Sequence, residues 1–313
     1  MQKKAYFFID DTIWTFRDLA RQKPASLFDL PFMKMLKNAH ENHSAKIQLN
    51  LFYRTDFYYG GDEFNLSEVP DTYRHEWEAN KDWLKLGFHA KQEFPDYPYV
   101  NGNYEDVKKD CTLIKNEIIR FAGEGSIAHT VTPHWLPISK EGCQALVDCG
   151  FKYTSFSCGA SHEYTGDPDV LPYGHAGRLL QNKKPETRLF TRKSLDTAIE
   201  RSICAYNHFE EGEVEDIIDR LVSYYDENTG MTFANFWSGP VLNLSKLETL
   251  EEEFSAYVDN EYLGYATHEQ YFYPEYFAYQ PDYDKKLYFA AKYLTENGFE
   301  FIFPAEDLME NNN

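Results

Sequence analysis

Six apolar or aromatic runs in this 313-residue chain each stop on a hydrogen-bonding or metal-capable side chain: Asp10-Asp11, His89, His134, His208, Trp237 and His268. The parallel strands of a closed α/β barrel all bring their C-terminal ends to one face, so such residues, distant in sequence, meet in space. The pattern therefore constrains the fold and the location of any chemistry together.

Strand-like runs and helical periods alternate along the chain. Residues 5–9 read as a buried strand and 26–42 as a helix, with Leu27, Leu30, Met33 and Leu36 at helical spacing. Strands follow at 46–53 and 84–89, with a helix at 68–83 between them and another at 104–122. Residues 126–132 read as a strand, 139–149 as a helix capped by Ser139 and stopped at Gly150, and 152–156 as a strand. Residues 159–192 have scattered Gly and Pro without a period and read as an insertion over the mouth. Alternation resumes with strand 201–207, helix 213–227, strand 231–237, helix 245–258, strand 262–268, helix 283–297 and strand 299–303. The expectation is an α/β fold, a distorted (β/α)7-8 barrel forming a single domain over 1–313.

A formal charge of −20 disfavours nucleic acid and anionic membrane as partners and leaves a neutral or cationic ligand. No apolar stretch approaches the roughly twenty residues of a membrane span. The short apolar run after Met1-Gln2-Lys3-Lys4 does not resemble a signal sequence, so a cytoplasmic location is expected. Five cysteines with no C-x-x-C spacing read as buried thiols in a reducing compartment. Aromatic residues, 17% of the chain with 24 Tyr and 24 Phe, exceed the needs of a core. Tyr58, Tyr59, Tyr97, Tyr99, Trp135 and Trp237 could stack on sugar faces or simply anchor loops.

Adjacent aspartates leaving a strand project to different sides, so Asp10 and Asp11 can hold different roles, one binding a cation and one taking a proton. His89 ends a strand, and Glu93 lies four residues on, within reach of the same ion if the segment turns helically. His268 ends another strand, where an imidazole can protonate a leaving group. His134 is placed to line the same pocket, and His208 reads equally as a pocket or a surface residue.

Phe8-Ile9-Asp10-Asp11, Gly87-Phe88-His89 through Glu93, Thr132-Pro133-His134 with Leu146 to Tyr153, and Tyr265 to Glu306 resemble successive motifs of the polysaccharide deacetylase family. That family comprises metal-dependent carbohydrate esterases on a distorted α/β barrel. The resemblance implies Asp10 as base, Asp11 and His89 as metal ligands with Glu93 in the place of a second histidine, and His268 as proton donor. Thr12 stands where the family has glycine, and Val131-Thr132-Pro133-His134 lacks the family's arginine. With Glu93 as a ligand the site is oxygen-rich, which widens the choice of divalent ion from zinc to manganese, magnesium or calcium.

The expected function is a metal-dependent hydrolase that removes an acyl group from an amino sugar or a related small glycoconjugate. His134, Trp135, Trp237 and Tyr97 would contact the substrate. Two alternatives stay open: a carbohydrate-binding barrel without turnover, and a glycoside hydrolase pairing Asp10 or Asp11 with Glu93 or Glu269.

Overall fold

The computed structural model describes residues 2–55, 63–155, 171–175, 223–234 and 237–309. Its central strand is β1 (Lys3–Thr12), buried from Ala5 onward, which explains an apolar run without polar alternation. β2 (Ile47–Phe52) flanks one edge of β1 and β9 (Tyr262–His268) the other; β3 (Leu84–Ala90) extends the sheet beyond β2 and β8 (Trp237–Val241) beyond β9, all parallel. β10 (Phe299–Phe301) adds to the first residues of β1, also parallel. A second sheet holds β4 (Thr130–Val131), β5 (Tyr153–Ser155) and β7 (Met231–Ala234) in parallel, with β6 (Ser223–Asp226) antiparallel on β7.

The sheets are joined where Leu86 bridges Ile127 and the His134 amide donates to the His89 carbonyl at 3.1 Å. Among the described residues the hydrogen-bonded order does not close into a ring. The packing nevertheless has an inside and an outside. Ala5, Phe7 and Ile9 join Ile47, Leu49, Leu51, Leu84, Leu86 and Phe88 in the large core beneath the helices, whereas Tyr6 and Phe8 pack with Tyr153, Ala234, Ala266 and Ala305 between the two sheets. By strand alternation Gln48 and Asn50 of β2 and Gly87 and His89 of β3 share the inner side. Gln48 Nε2 bonds the Thr130 carbonyl of the other sheet at 2.9 Å. The described architecture is thus a mainly parallel α/β fold.

α1 (Trp14–Gln22) falls where no helix is expected and lacks a side-chain cap; α2 (Pro31–His43) starts on its proline, and the expected helix 68–83 is α-helical only as α3 (Arg74–Asn80). α4 (Tyr104–Phe121) is capped by Asn103, and α5 (Lys140–Asp148) by Ser139 with Gly150 in the left-handed region after it. Cys111, Cys143 and Cys149 are buried free thiols.

Two further expectations are corrected. Residues 223–226, read as the end of a helix, are a strand that turns through Asn228-Thr229-Gly230 into β7, because Gly230 takes the positive φ a tight turn needs. The expected strand 231–237 divides into β7 and β8, which belong to different sheets. Strand 201–207, His208, Tyr58, Tyr59 and most of the 159–192 insertion lie outside the described residues.

Candidate metal centre

β1 ends in a backbone irregularity that builds the site. Its register with β2 breaks between Ile9 and Thr12, Asp11 takes φ +57°, and the Thr12 hydroxyl donates back to the Ile9 carbonyl at 3.1 Å. A regular strand would send adjacent side chains to opposite faces. The left-handed residue cancels that alternation, so Asp10 and Asp11 line the same cavity rather than diverging as the sequence implied.

Three side chains converge there. His89 Nε2 lies 3.0 Å from Asp11 Oδ1, His134 Nδ1 lies 3.0 Å from His89 Nε2, and His134 Nδ1 lies 3.3 Å from Asp11 Oδ1. All three residues are buried, and they form a group able to hold a metal ion. The outer nitrogens decide the protonation. His89 Nδ1 sits 2.6 Å from the Thr132 carbonyl and His134 Nε2 sits 3.0 Å from the Glu93 carbonyl. A carbonyl only accepts, so both outer nitrogens carry hydrogen and both inner nitrogens present lone pairs in the neutral rings. Two lone pairs and a carboxylate oxygen about 3 Å apart repel one another unless a positive charge sits among them. A triangle of that edge also matches four-coordinate ligation at about 2.0–2.1 Å.

The ionisation of the metal-free cluster points the same way. Burial alone would lower His89, but the charges of Asp10 and Asp11 raise it to about 9. Burial pushes Asp11 upward, yet its bonds to His134 and His89 hold it well below the usual carboxylate range. Both directions report a demand for positive charge between these groups.

Glu93, expected as the third ligand, is placed elsewhere, and His134, expected against the substrate, takes that position. After β3 the chain runs through bends instead of a helical turn, so the four-residue spacing from His89 does not bring the Glu93 carboxylate back. Its Oε1 lies 3.9 Å from His134 Nε2, on the far side of that ring from the cluster. Glu93 still lines the cavity, and its backbone carbonyl orients His134.

Asp10 borders the triangle without joining it. It pairs in register with His268 and accepts a 2.7 Å hydrogen bond from Asn50 Nδ2, while Asn50 Oδ1 accepts one from Gln48 at 2.6 Å. Burial raises the Asp10 carboxyl, with His89, His268 and Asn50 opposing that rise. His268 lines the same cavity and is held through Nδ1 by Asn243 Oδ1 at 2.9 Å. Sequence reading missed Gln48 and Asn50, although the alternation Ile47-Gln48-Leu49-Asn50-Leu51 puts two amides on the inner face of a buried strand.

The cavity measures about 240 Å³ and is also lined by Pro133, Trp135, Leu136, Leu244, Tyr271 and Tyr276. That is a little below the ~300 Å³ at which ligand pockets usually begin. Trp135, 41% exposed, forms part of the rim and packs on Tyr97 with ring centres 5.2 Å apart. The Trp237 side chain lies outside the described residues, although its backbone is in β8. Asp11, Tyr97, Trp135 and Leu136 are four of the six non-glycine residues with left-handed backbone among the described residues. Such conformations cost about 1–3 kcal/mol each and collect where function demands a particular geometry.

Glu269 is spent elsewhere. Its carboxylate accepts from the amides of Ile13, Trp14 and Thr15, each at 2.7 Å, and caps α1, whose own N-cap residue offers no side-chain bond. Burial raises it to about 7 against those three bonds. A carboxylate so engaged is poorly suited to pair with Asp10 or Asp11 in glycoside hydrolysis.

No protein-family model and no curated protein matches this sequence. Solved structures do. The chain is similar to the 4-alpha-glucanotransferase of Thermococcus litoralis, at 14% identity and TM-score 0.54, covering 99% of this chain and 41% of that one. It therefore spans about two fifths of that protein. It is also similar to a protein from Parabacteroides distasonis described as a glycoside hydrolase/deacetylase, at 10% identity and TM-score 0.51, covering 100% of this chain and 72% of that one. Agd3, a carbohydrate deacetylase, aligns at 9% identity and TM-score 0.45 over 99% of this chain and 53% of its own. The first two likenesses establish a shared fold.

Proposed function

We propose that the protein is a metal-dependent deacylase that cleaves the amide of an N-acylated amino sugar or a similarly small neutral amide. The observation that supports this best is the triangle of Asp11 Oδ1, His89 Nε2 and His134 Nδ1, with the outer ring nitrogens tied to carbonyls and Asp10 left outside it. Two imidazoles and one carboxylate suit zinc better than the oxygen-rich set expected with Glu93. A divalent cation held there supplies Lewis acidity, polarising an acyl carbonyl and bringing the pKa of a water to about 7.

The chain's own residues do the rest. Asp10, raised by burial and steadied by Asn50, accepts the proton of the attacking water. His268, beside Asp10 in register, gives a proton to the departing nitrogen. The small cavity admits an acyl group and the ring bearing it, with Trp135 and Tyr97 offering a face at the rim. The fold shared with a protein described as a glycoside hydrolase/deacetylase agrees with this reading.

The test uses purified protein and chromogenic N-acetyl amino-sugar amides. About one divalent ion per chain, lost in His89→Ala and His134→Ala, together with an Asp10→Asn variant that keeps metal and loses turnover, would support the reading. Full metal occupancy in His134→Ala, or unchanged hydrolysis by Asp10→Asn, would refute it. Sugar binding without turnover in the metal-loaded wild type would favour a binding protein.

A further inference from the structure

We infer that Asn243 is a positioning residue that fixes His268 as its Nδ1–H tautomer, and that Gln280 and the buried Lys286 hold Asn243 in place. Four segments meet in this chain of bonds. Asn243 follows β8, His268 ends β9, Gln280 lies in the loop beyond, and Lys286 belongs to the helix Tyr283–Glu296. None of these partners is a ligand of the proposed metal site.

The hydrogen bonds define the direction of each group. Asn243 Oδ1 faces the backbone amide of His268 at 3.2 Å, and an amide N–H only donates, so the Asn243 atom there is the oxygen. The same oxygen lies 2.9 Å from His268 Nδ1, which must then carry the hydrogen. The Thr267 hydroxyl adds a third donor at 3.3 Å. Behind Asn243, Gln280 Nε2 donates to the Asn243 backbone carbonyl at 2.7 Å, and Gln280 Oε1 accepts from Lys286 Nζ at 2.8 Å. Both ends of the Gln280 amide thus require the same orientation. Lys286 is 5% exposed, and its ammonium also faces Asp282 at 3.6 Å. The Gln280 backbone is pinned as well, its amide donating to the Tyr271 carbonyl at 2.9 Å.

The neutral ring therefore keeps its lone pair on Nε2, the nitrogen not engaged by Asn243. A proton taken up there is the one available to a leaving group, and in this functional sense the inference rests on the deacylase reading. An amide oxygen at Nδ1 orients the ring without adding a negative charge, unlike a carboxylate in the same place. The chain of donors explains why a lysine is buried here: its ammonium sets the Gln280 amide, which sets Asn243.

The experiment is ¹⁵N–¹H correlation spectroscopy of histidine side chains in the full-length protein, at a pH where His268 is neutral, with His268→Gln identifying its signals. The expected wild-type pattern is a protonated-type nitrogen at Nδ1 and an unprotonated type at Nε2. Asn243→Ala should move both shifts toward a tautomer average, Asn243→Asp should keep the wild-type pattern, and Gln280→Leu should give partial averaging. The signals of the other nine histidines report whether each variant folds. If Asn243→Ala does not fold, Gln280→Leu and the wild-type pattern still decide. A wild-type ring protonated at Nε2, or a pattern unchanged in folded Asn243→Ala, would overturn the inference. A protein without deacylase activity would leave these spectra as expected, so failure of the functional reading and failure of this one are distinguishable.

Discussion

Metal-free protein should lose the stability that His89 contributes as the pH rises from 7 to 9.5. The buried imidazole is raised from 6.5 to about 9 because Asp10 and Asp11 flank it. A group raised on folding contributes stability that is complete below its unfolded value and vanishes above its folded one. The contribution is present in full below pH 6.5 and is lost as the pH passes 9. At 1.36 kcal/mol for each tenfold gain in proton affinity it amounts to about 3 kcal/mol, most of it still present at pH 7. The window begins at pH 7 because Glu269, raised to about 7, loses its own contribution between about 4.5 and 7. Urea unfolding at a series of pH values, with chelator present, measures the effect. Saturating divalent cation should flatten the decline, because the ion replaces the proton and binds about tenfold more tightly per pH unit as the competing proton leaves. The Cys149 thiol, lowered to about 6 chiefly by its bond to Cys111, contributes in the opposite direction between pH 6 and 9, so the His89 effect is read as the difference between wild type and His89→Gln. A difference in chelator that does not shrink as the pH rises through this window would refute the reasoning.

Glu269→Ala leaves three buried amides at the start of α1 without their acceptor and should cost about 3 kcal/mol or more, read as a fall in the urea midpoint, with Glu269→Gln recovering part of it. Gly87→Ala would put a methyl 2.8 Å from both Asn50 Oδ1 and Gln48 Nε2, displacing the amides that steady Asp10; an overpacking loss of about 1–3 kcal/mol and reduced turnover should appear together. Asn50→Ala removes a bond that lowers the Asp10 carboxyl, so the acid limb of the pH–rate profile should move to higher pH, since a base must be ionised to act.

Much of the fold was legible because local signals and burial agree. The apolar run of β1, the Ser139 cap and Gly150 stop of α5, and the strand ending at His268 all follow from patterns within a dozen residues. Convergence at strand ends brought Asp10, Asp11, His89, His134 and His268 to one cavity. What the sequence hid depends on backbone geometry and tertiary partners. A helical spacing rule favoured Glu93 over His134, but the segment after β3 is irregular, and His134 is delivered instead by its amide bond to the His89 carbonyl. The shared orientation of Asp10 and Asp11 needs a left-handed aspartate that no spacing reveals. Glu269 passed for a catalytic carboxylate because nothing local marks it as the cap of a helix more than 250 residues away. No helix among the described residues is long and apolar enough to cross a membrane.

Anomalous diffraction from crystals of the metal-loaded protein, recorded on both sides of the bound element's absorption edge, tests the central claim most directly. The expected result is one anomalous peak about 2.0–2.2 Å from Asp11 Oδ1, His89 Nε2 and His134 Nδ1, with Asp10 beyond coordination distance. A peak ligated by Glu93 in place of His134, or no peak between these residues under saturating metal, would contradict it.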